Sequence, residues 1–406
     1  MTLSAETLAA LRSDAAAQLP SLVELRRALH RTPEIGLHLP ASQQLVLDAI
    51  APLDLEVRTG TALSSVVAVL RGGRPGPAVL LRGDMDALPV AEDSGEPFTS
   101  ERAGVMHACG HDLHVAGLVG AARLLADRRD HLTGDVVLMF QPGEEGDHGA
   151  RLMIEEGVLD AAGSRVVAAY ALHVLSSTLP AGLVASRPGT ALAAADSVVV
   201  TVHGRGGHGS MPHLAADPVP VAAEIVLALQ AMVTRQFDVF DPVVVTVGRI
   251  EAGTTDNVIP TTAVLEATVR SFSEATHRVV PERLTRVVDG IAAAHGLTAT
   301  VDYRCGYPVT SNTAAEVDRA AGLVRGMFGE QAYLAAAQPL SGAEDFSYVL
   351  QEVPGVYLGL GATPPGEDPA TAAYNHSARA RFAEESLAVG PAVLAALALD
   401  RLAQGA

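Results

Sequence analysis

Apolar positions recur at helical spacing over residues 22–29, 41–51 and 115–125. Between and after them lie short β-rich runs at 65–70, 78–81, 135–140 and 166–172, with a further helix beginning at 152–156. Glycine and proline punctuate the pattern at 72–76. Strands that alternate with helices predict an α/β unit with a mostly parallel sheet covered on both faces. The middle of the chain reads differently. A strand at 196–203, a helix at 215–233, strands at 242–251 and 261–271, a helix at 282–295 and a strand at 297–303 follow the β-α-β-β-α-β order of a ferredoxin-like sandwich. The α/β pattern resumes at 315–328. We therefore expect a first unit in two parts, 1–184 and 305–406, with a second unit, 185–304, inserted into it. Hinges fall at 182–189 and 305–308.

A chain of 406 residues is more than one hydrophobic core usually supports, which agrees with two units. The formal charge of −18 excludes a nucleic-acid partner, because phosphate binding needs clustered cations. The chain has no lysine; its cations are arginine and histidine. No run of about 18 uninterrupted apolar residues predicts a membrane span. Residues 1–20 are helical in pattern and acidic, without the basic and apolar regions of a signal peptide, so a cytoplasmic chain is expected. Two cysteines are too few for a disulfide framework, and Cys305 reads as a buried, inert thiol.

Chemistry concentrates in Met106-His-Ala-Cys-Gly-His-Asp-Leu-His114, which packs one thiol, three imidazoles and a carboxylate into nine residues. Thiolate and imidazole suit a borderline-soft cation such as zinc. In extended or irregular backbone, Cys109 and His111 point the same way and can share one metal or two neighbouring ones; the alternative is a loop of hydrogen-bonded histidines. His107 and His114 read as supporting or structural. In Phe140-Gln-Pro-Gly-Glu-Glu-Gly146, adjacent carboxylates diverge, so one can bind metal while the other takes a proton from water; a solvated acidic loop is the alternative. His173 and His376 each read as ligand or as structural histidine. Asp84 and Asp86 read as ligands, as carboxylates that orient a ligating histidine, or as turn caps. In Gly204-Arg-Gly-Gly-His-Gly-Ser-Met-Pro-His213, His208 is suited to donate to a developing oxyanion, or the segment is a flexible turn. It is a poor fit to a nucleotide-binding GxGxxG loop.

Taken together, these segments resemble the M20 family of metallopeptidases, in particular its aminoacylase and amidohydrolase branch of hippurate hydrolases and hydrolases of indole-acetyl–amino-acid conjugates. His-Ala-Cys-Gly-His-Asp is the most branch-specific motif. Gln-Pro-Gly-Glu-Glu-Gly, Gly-Gly-His, Ser341-Gly-Ala-Glu-Asp-Phe346 and Tyr374-Asn-His-Ser377 support it. The resemblance spans nearly the whole chain. It implies a zinc-peptidase-like catalytic domain, a lid and dimerisation domain inserted into it, and two divalent metals per subunit. Zinc or manganese would be the metal, with cobalt and nickel as alternatives. The implied ligands are Cys109, His111, Glu145, His173 and His376, with Glu144 as general base. Asp86 would support a metal-bound histidine, and Asp84 stands where related branches place that histidine. His208 would complete a partner subunit's site in a homodimer, and Asn257 and Arg270 would recognise the substrate's carboxylate. The implied reaction is amide hydrolysis of an N-acyl amino acid by metal-activated water. A dipeptidase on the same centre and a non-catalytic metal-binding protein are the alternatives. Ala378 replaces a common proline, no proline follows His173 closely, and a common glutamate near position 39 is absent; these departures bear on the pocket and leave the ligands intact.

Overall fold

A computed structural model describes residues 3–404; of the N-terminal helical pattern and the final segment, residues 1–2 and 405–406 lie outside it. The chain divides into two compact units. The larger takes in the chain to Gly189, Ser311–Gln338 and the chain from Asp345; the smaller is Thr190–Thr310 with Pro339–Glu344.

In the larger unit an eight-stranded sheet runs in the order Glu56–Thr59, Val66–Leu70, Thr133–Gln141, Arg74–Asp84, Ala168–Pro180, Gly355–Thr363, Val184–Ser186, Tyr333–Ala335. The four strands from Thr133–Gln141 to Gly355–Thr363 pair in parallel, and the strands flanking them pair with them antiparallel. The apolar runs are buried because helices cover them. Every residue of Val66–Leu70 is buried, as is Arg74–Asp84 from Ala78 onward. The helix His111–Ala126 is buried along almost its whole length, and Gly390–Ala403 is a second core helix. Ala168–Pro180 runs eight residues beyond the end expected at 172, since its pairing with Gly355–Thr363 continues past His173. His173 therefore sits within a strand. Ala5–Arg31 is one continuous helix through Pro20. Ser4 caps it through Oγ, and Leu8, Leu11, Ala15, Leu22 and Leu29 bury one face. That burial outweighs the hydrogen bond lost at proline.

The smaller unit is a four-stranded antiparallel sheet in the order Val243–Ala252, Thr262–Ser271, Ala194–His203, Thr298–Tyr307, with the helices Pro218–Gln236 and Glu274–Ala294. Numbered along the chain, the order is 2-3-1-4, the ferredoxin-like arrangement. Val198, Val200 and Val202 alternate toward a core that Val221, Ile225 and Leu229 complete. Glu274–Ala294 starts a full turn or more before Pro281, because Ser273 caps it and Val280, Leu284 and Val288 anchor its face. Pro339–Glu344 joins this unit through Leu340, whose N–H donates to Ala191 and whose carbonyl accepts from Ala193. Cys305 is exposed, not buried: it falls at an irregularity between Arg304 and Tyr307, where the edge strand loses its alternation. Pro218–Gln236 and Glu384–Ala403 pass a membrane-span test by length and composition, but both carry residues of their units' cores.

Below the strand ends Arg82 is buried, with Nε 2.9 Å from Gln141 Oε1, Nη1 2.6 Å from Asp84 Oδ2 and Nη2 3.1 Å from Asp345 Oδ1. Replacing it strips two buried carboxylates of their cation. Arg82→Ala is expected to destabilise the larger unit by about 3–5 kcal/mol, read as a lower denaturant midpoint; a change within the noise of the measurement would show that the carboxylates are balanced elsewhere.

Candidate metal centre

Gly110 makes the Cys109–His111 pair possible. Its φ is +87°, and a Cβ there would lie 2.5 Å from Val174 Cγ2 and 2.9 Å from Phe382 Cε1. Only glycine fits, by conformation and by space. Extended backbone therefore does not align the two side chains. A left-handed turn does, with His111 opening the helix His111–Ala126.

Around this turn the structure gathers the side chains of four segments. Cys109 Sγ is 3.2 Å from His173 Nε2 and 3.3 Å from His376 Nε2. Glu145 Oε1 is 3.1 Å from His376 Nε2 and 4.0 Å from His111 Nε2. Three overlapping sets have ligand atoms within 4.8 Å of one another: Cys109, His111 and His173; Cys109, Glu145 and His376; His111, Glu144 and Glu145. Asp84, His111 and His114 form a fourth.

The partners of these residues sort the four sets. His111 Nδ1 is 2.8 Å from the Asp86 carbonyl and His173 Nδ1 is 2.8 Å from the Val174 carbonyl. A carbonyl only accepts, so both rings carry their proton on Nδ1 and offer Nε2. His111 Nε2 is buried and makes no hydrogen bond. His114 is used up: Nε2 accepts from the Val174 N–H at 2.8 Å, and Nδ1 faces Asp84 Oδ1 at 2.5 Å. Asp84, held by Arg82 and His114, supports the site from behind. Asp86 acts twice. Its carbonyl orients His111, while its carboxylate oxygens accept the main-chain N–H of Glu144 and of Glu145, each at 3.0 Å. Asp86 Oδ1 also lies 3.6 Å from His111 Nδ1, so the carbonyl is the nearer of two Asp86 acceptors for that ring. His107 is buried with neither ring nitrogen hydrogen-bonded, and burial pulls its pKa down to about 3.

Sequence reasoning passed over Arg82, Asp345 and Asn375. Asp345 accepts from Gln141 Nε2 at 2.7 Å and the Ala150 N–H at 2.8 Å. The only hints were local: Arg82 stands two residues before Asp84, Asp345 lies in a motif, and Asn375 precedes His376.

Charge in the cluster is unevenly shared. Burial pushes the Cys109 thiol up to about 12, against the pull of His111. Burial opposes charge on His111 too, but Asp84 and Cys109 outweigh it and raise its pKa well above the ordinary value. Burial and the neighbouring His114 keep His173 neutral. Burial opposes charge on Glu145, but His376, His111 and Cys109 together outweigh it and lower its pKa. A thiol, imidazole nitrogens and a carboxylate, with His111 Nε2 buried and without a hydrogen bond, fit two divalent metal ions that would displace the protons of the thiol and of His111 Nε2.

In the smaller unit His208 and Asn257 are neighbours. His208 pairs with Val258, and the Asn257 carbonyl accepts the Gly209 N–H at 2.8 Å. Arg270 lies elsewhere, paired with Ala195 near the start of Ala194–His203.

An α/β unit with this donor cluster at its strand ends, carrying a ferredoxin-like insertion, is the architecture of a metal-dependent hydrolase of amide bonds. The model of peptidase family M20/M25/M40 matches residues 80–400, and the chain belongs to that family. It is 37% identical to thermostable carboxypeptidase 2 of Saccharolobus solfataricus, over 93% of this chain and 94% of that protein. It is 38% identical to the IAA-amino acid hydrolase ILR1-like 2 of Arabidopsis thaliana, over 95% and 86%. A solved dinuclear metal-binding peptidase of the M20 family from Bacillus subtilis superimposes with a TM-score of 0.82 at 31% identity, covering 95% of this chain and 99% of that one.

The raised thiol pKa has a measurable sign. At neutral pH Cys109 holds its proton until a cation displaces it, so affinity rises with pH up to about 12. Zinc binding to the wild type is expected to release about one proton more per subunit than binding to Cys109→Ala. Calorimetry in buffers of different ionisation enthalpy reads this directly; equal proton release would remove Cys109 from the ligand set.

Proposed function

We propose that the chain hydrolyses the amide bond of N-acyl amino acids. The observation that carries this reading is Glu144, a buried carboxylate within 4.8 Å of the ligand atoms of His111 and Glu145, its backbone fixed by Asp86. Cys109, His111, Glu145, His173 and His376 would hold two cations; mixed sulfur, nitrogen and oxygen donors favour zinc, with manganese, cobalt and nickel as alternatives. Bound there, such cations supply Lewis acidity, polarising a carbonyl and making water acidic near neutral pH.

Glu144 takes the proton of the attacking water and returns it to the leaving amine. Asp86 keeps Glu144 and Glu145 from exchanging places, since it grips both main-chain N–H groups. His208 Nδ1 accepts from the Ser210 N–H at 3.1 Å, which puts the proton of the neutral ring on Nε2, ready for an oxyanion. Asn257 and Arg270 would receive the amino-acid carboxylate.

These residues do not meet within one inserted unit. Thr262 pairs with His203, and Arg270 lies eight residues along the same strand, roughly 26 Å away at the rise of a strand. His208 and Asn257 belong to the Thr262 end and Arg270 to the end nearest the crossover at Thr190. This supports a homodimer in which each subunit's His208 and Asn257 serve its partner's centre. The edge strand Val243–Ala252, with Ile250 and neighbouring Phe240 exposed, suits contact with a second copy. In this reading the inserted unit is both lid and dimerisation domain. Two unpaired cysteines suit a reducing cytoplasm.

The carboxypeptidase relative favours a second reading. A C-terminal peptide residue and an N-acyl amino acid share the same amide and carboxylate, so the readings differ only in whether a free α-amine is accepted on the acyl side. Hippurate-like substrates cleaved faster than simple dipeptides support the first reading; the reverse order supports the second.

Glu144→Gln is expected to keep its metal content and lose at least about 10²-fold in turnover; near-normal turnover would exclude Glu144 as the base. Co-expressed Glu144→Gln and His208→Ala subunits, each inactive as homodimers, are expected to form mixed dimers with one working site. A mixture as inactive as its parents would rule out assembly across subunits.

A further inference from the structure

Asn375 is buried, carries no charge and has no part in the reaction just described. Its side chain nevertheless joins three ligand-bearing segments. Nδ2 donates to the Cys109 carbonyl and to the Val174 carbonyl, each at 3.0 Å. Oδ1 accepts the Ser176 N–H at 2.9 Å, with Ser176 Oγ 3.0 Å away. Ser176 Oγ also reaches the Ala373 carbonyl at 2.8 Å, which closes the loop before Asn375. The Val174 carbonyl is the same oxygen that takes the Nδ1 proton of His173. Both donors and the acceptor of the amide are thus used, and each partner lies in or beside a segment that presents a ligand.

The next residue shows why this matters. His376 has φ +71°, a left-handed conformation that a side-chain-bearing residue holds only when its surroundings impose it. Its N–H donates to the Ala108 carbonyl at 2.8 Å. Asn375 on one side and Ala108 on the other hold the backbone there, which leaves His376 Nε2 3.3 Å from Cys109 Sγ and 3.1 Å from Glu145 Oε1. His376 is itself half exposed, so packing alone does not place it.

We propose that Asn375 is the positioning residue of the centre: its amide sets Cys109, His173 and His376 at ligating distance from one another before a cation binds. This rests on the ligand assignment made under Proposed function. An apolar side chain of the same size takes the Asn375 donor from the Cys109 carbonyl, the acceptor from the Ser176 N–H, and one of two donors from the Val174 carbonyl, which keeps His173 Nδ1. An aspartate keeps the acceptor for Ser176 but loses both donors. The two changes therefore separate the tie to Ser176 from the ties to Cys109 and Val174.

The test uses full-length Asn375→Leu and Asn375→Asp, stripped of metal and checked for fold by circular dichroism and thermal unfolding. Zinc affinities are measured by competition with a chromophoric chelator. Cobalt(II) loading reads thiolate ligation through its charge-transfer absorption. Both variants are expected to lose 10- to 100-fold in affinity at the weaker site, with a diminished thiolate band. A residue needed only for stability would lower the melting temperature and leave the affinities and the band unchanged, and that result overturns the proposal. A wild type without a thiolate band would instead overturn the ligand assignment and the proposal together. Should neither variant fold, hydrogen exchange on metal-free wild type decides: protection of 107–110 and 173–176 supports prior positioning, and free exchange there rejects it.

Discussion

Asp86 is the contact on which the centre turns. Its carbonyl takes the proton of His111 Nδ1, and its carboxylate takes the backbone N–H groups of Glu144 and Glu145. One residue thereby fixes His111, Glu145 and Glu144, the residues to which the proposed hydrolysis gives two ligands and the base. Such an arrangement gathers acid. Asp84, Asp86, Glu144 and Asp345 are all buried, in a chain that already carries −18. Unpaired charges of one sign do not stay together in a dry site. Three of the four are answered differently: Asp84 by Arg82 and His114, Asp345 by Arg82, Gln141 and the Ala150 N–H, Asp86 by two backbone N–H groups. Arg82 meets Asp84 and Asp345, and Asp84 Oδ2 itself lies 3.5 Å from His111 Nε2, so arginine charge reaches the edge of the cluster through Asp84.

The inserted unit follows another logic. Its sheet buries one face against two helices and sends functional side chains to opposite ends. His208 and Asn257 sit on a small two-stranded pairing, and Arg270 lies at the far end of Thr262–Ser271. The strand is rigid and its length is set by its rise, so no local rearrangement brings the ends together. The proposed site uses both ends and would borrow one from another copy, so the proposed homodimer would follow from strand geometry.

Periodicity showed most of the architecture. Buried parallel strands read as continuous apolar runs, and the six inserted elements kept their order. Where the reading stopped short, tertiary contacts had overridden a local signal. The helix expected from 282 begins at Glu274 and runs through Pro281, and Ala5–Arg31 runs through Pro20, because Val280 to Val288 and Leu8 to Leu29 offset the lost hydrogen bonds with burial. The residues that converge on Cys109 were legible as residue types in motifs. Their supports were not. Arg82 meets Asp345 across 263 positions and Asn375 meets Cys109 across 266, distances at which spacing carries no information. Asp86 meets His111 through its carbonyl at 2.8 Å and through its carboxylate at 3.6 Å, a distinction that sequence does not make.

The choice of thiol at position 109 now has a physical reading. A carboxylate there would be charged before any cation arrived, adding to the acid already gathered around it. A buried thiol with its pKa near 12 is neutral until a cation displaces its proton. The fold can then assemble without that charge, and the charge appears only when something is present to neutralise it. The turn at Gly110 also sets the thiol at the N-terminus of His111–Ala126, whose dipole favours an anion once formed. The same facts bear on reactivity. Thiolate is the form that oxidants attack, and Cys109 is only 7% exposed. Without a cation it is both protonated and covered.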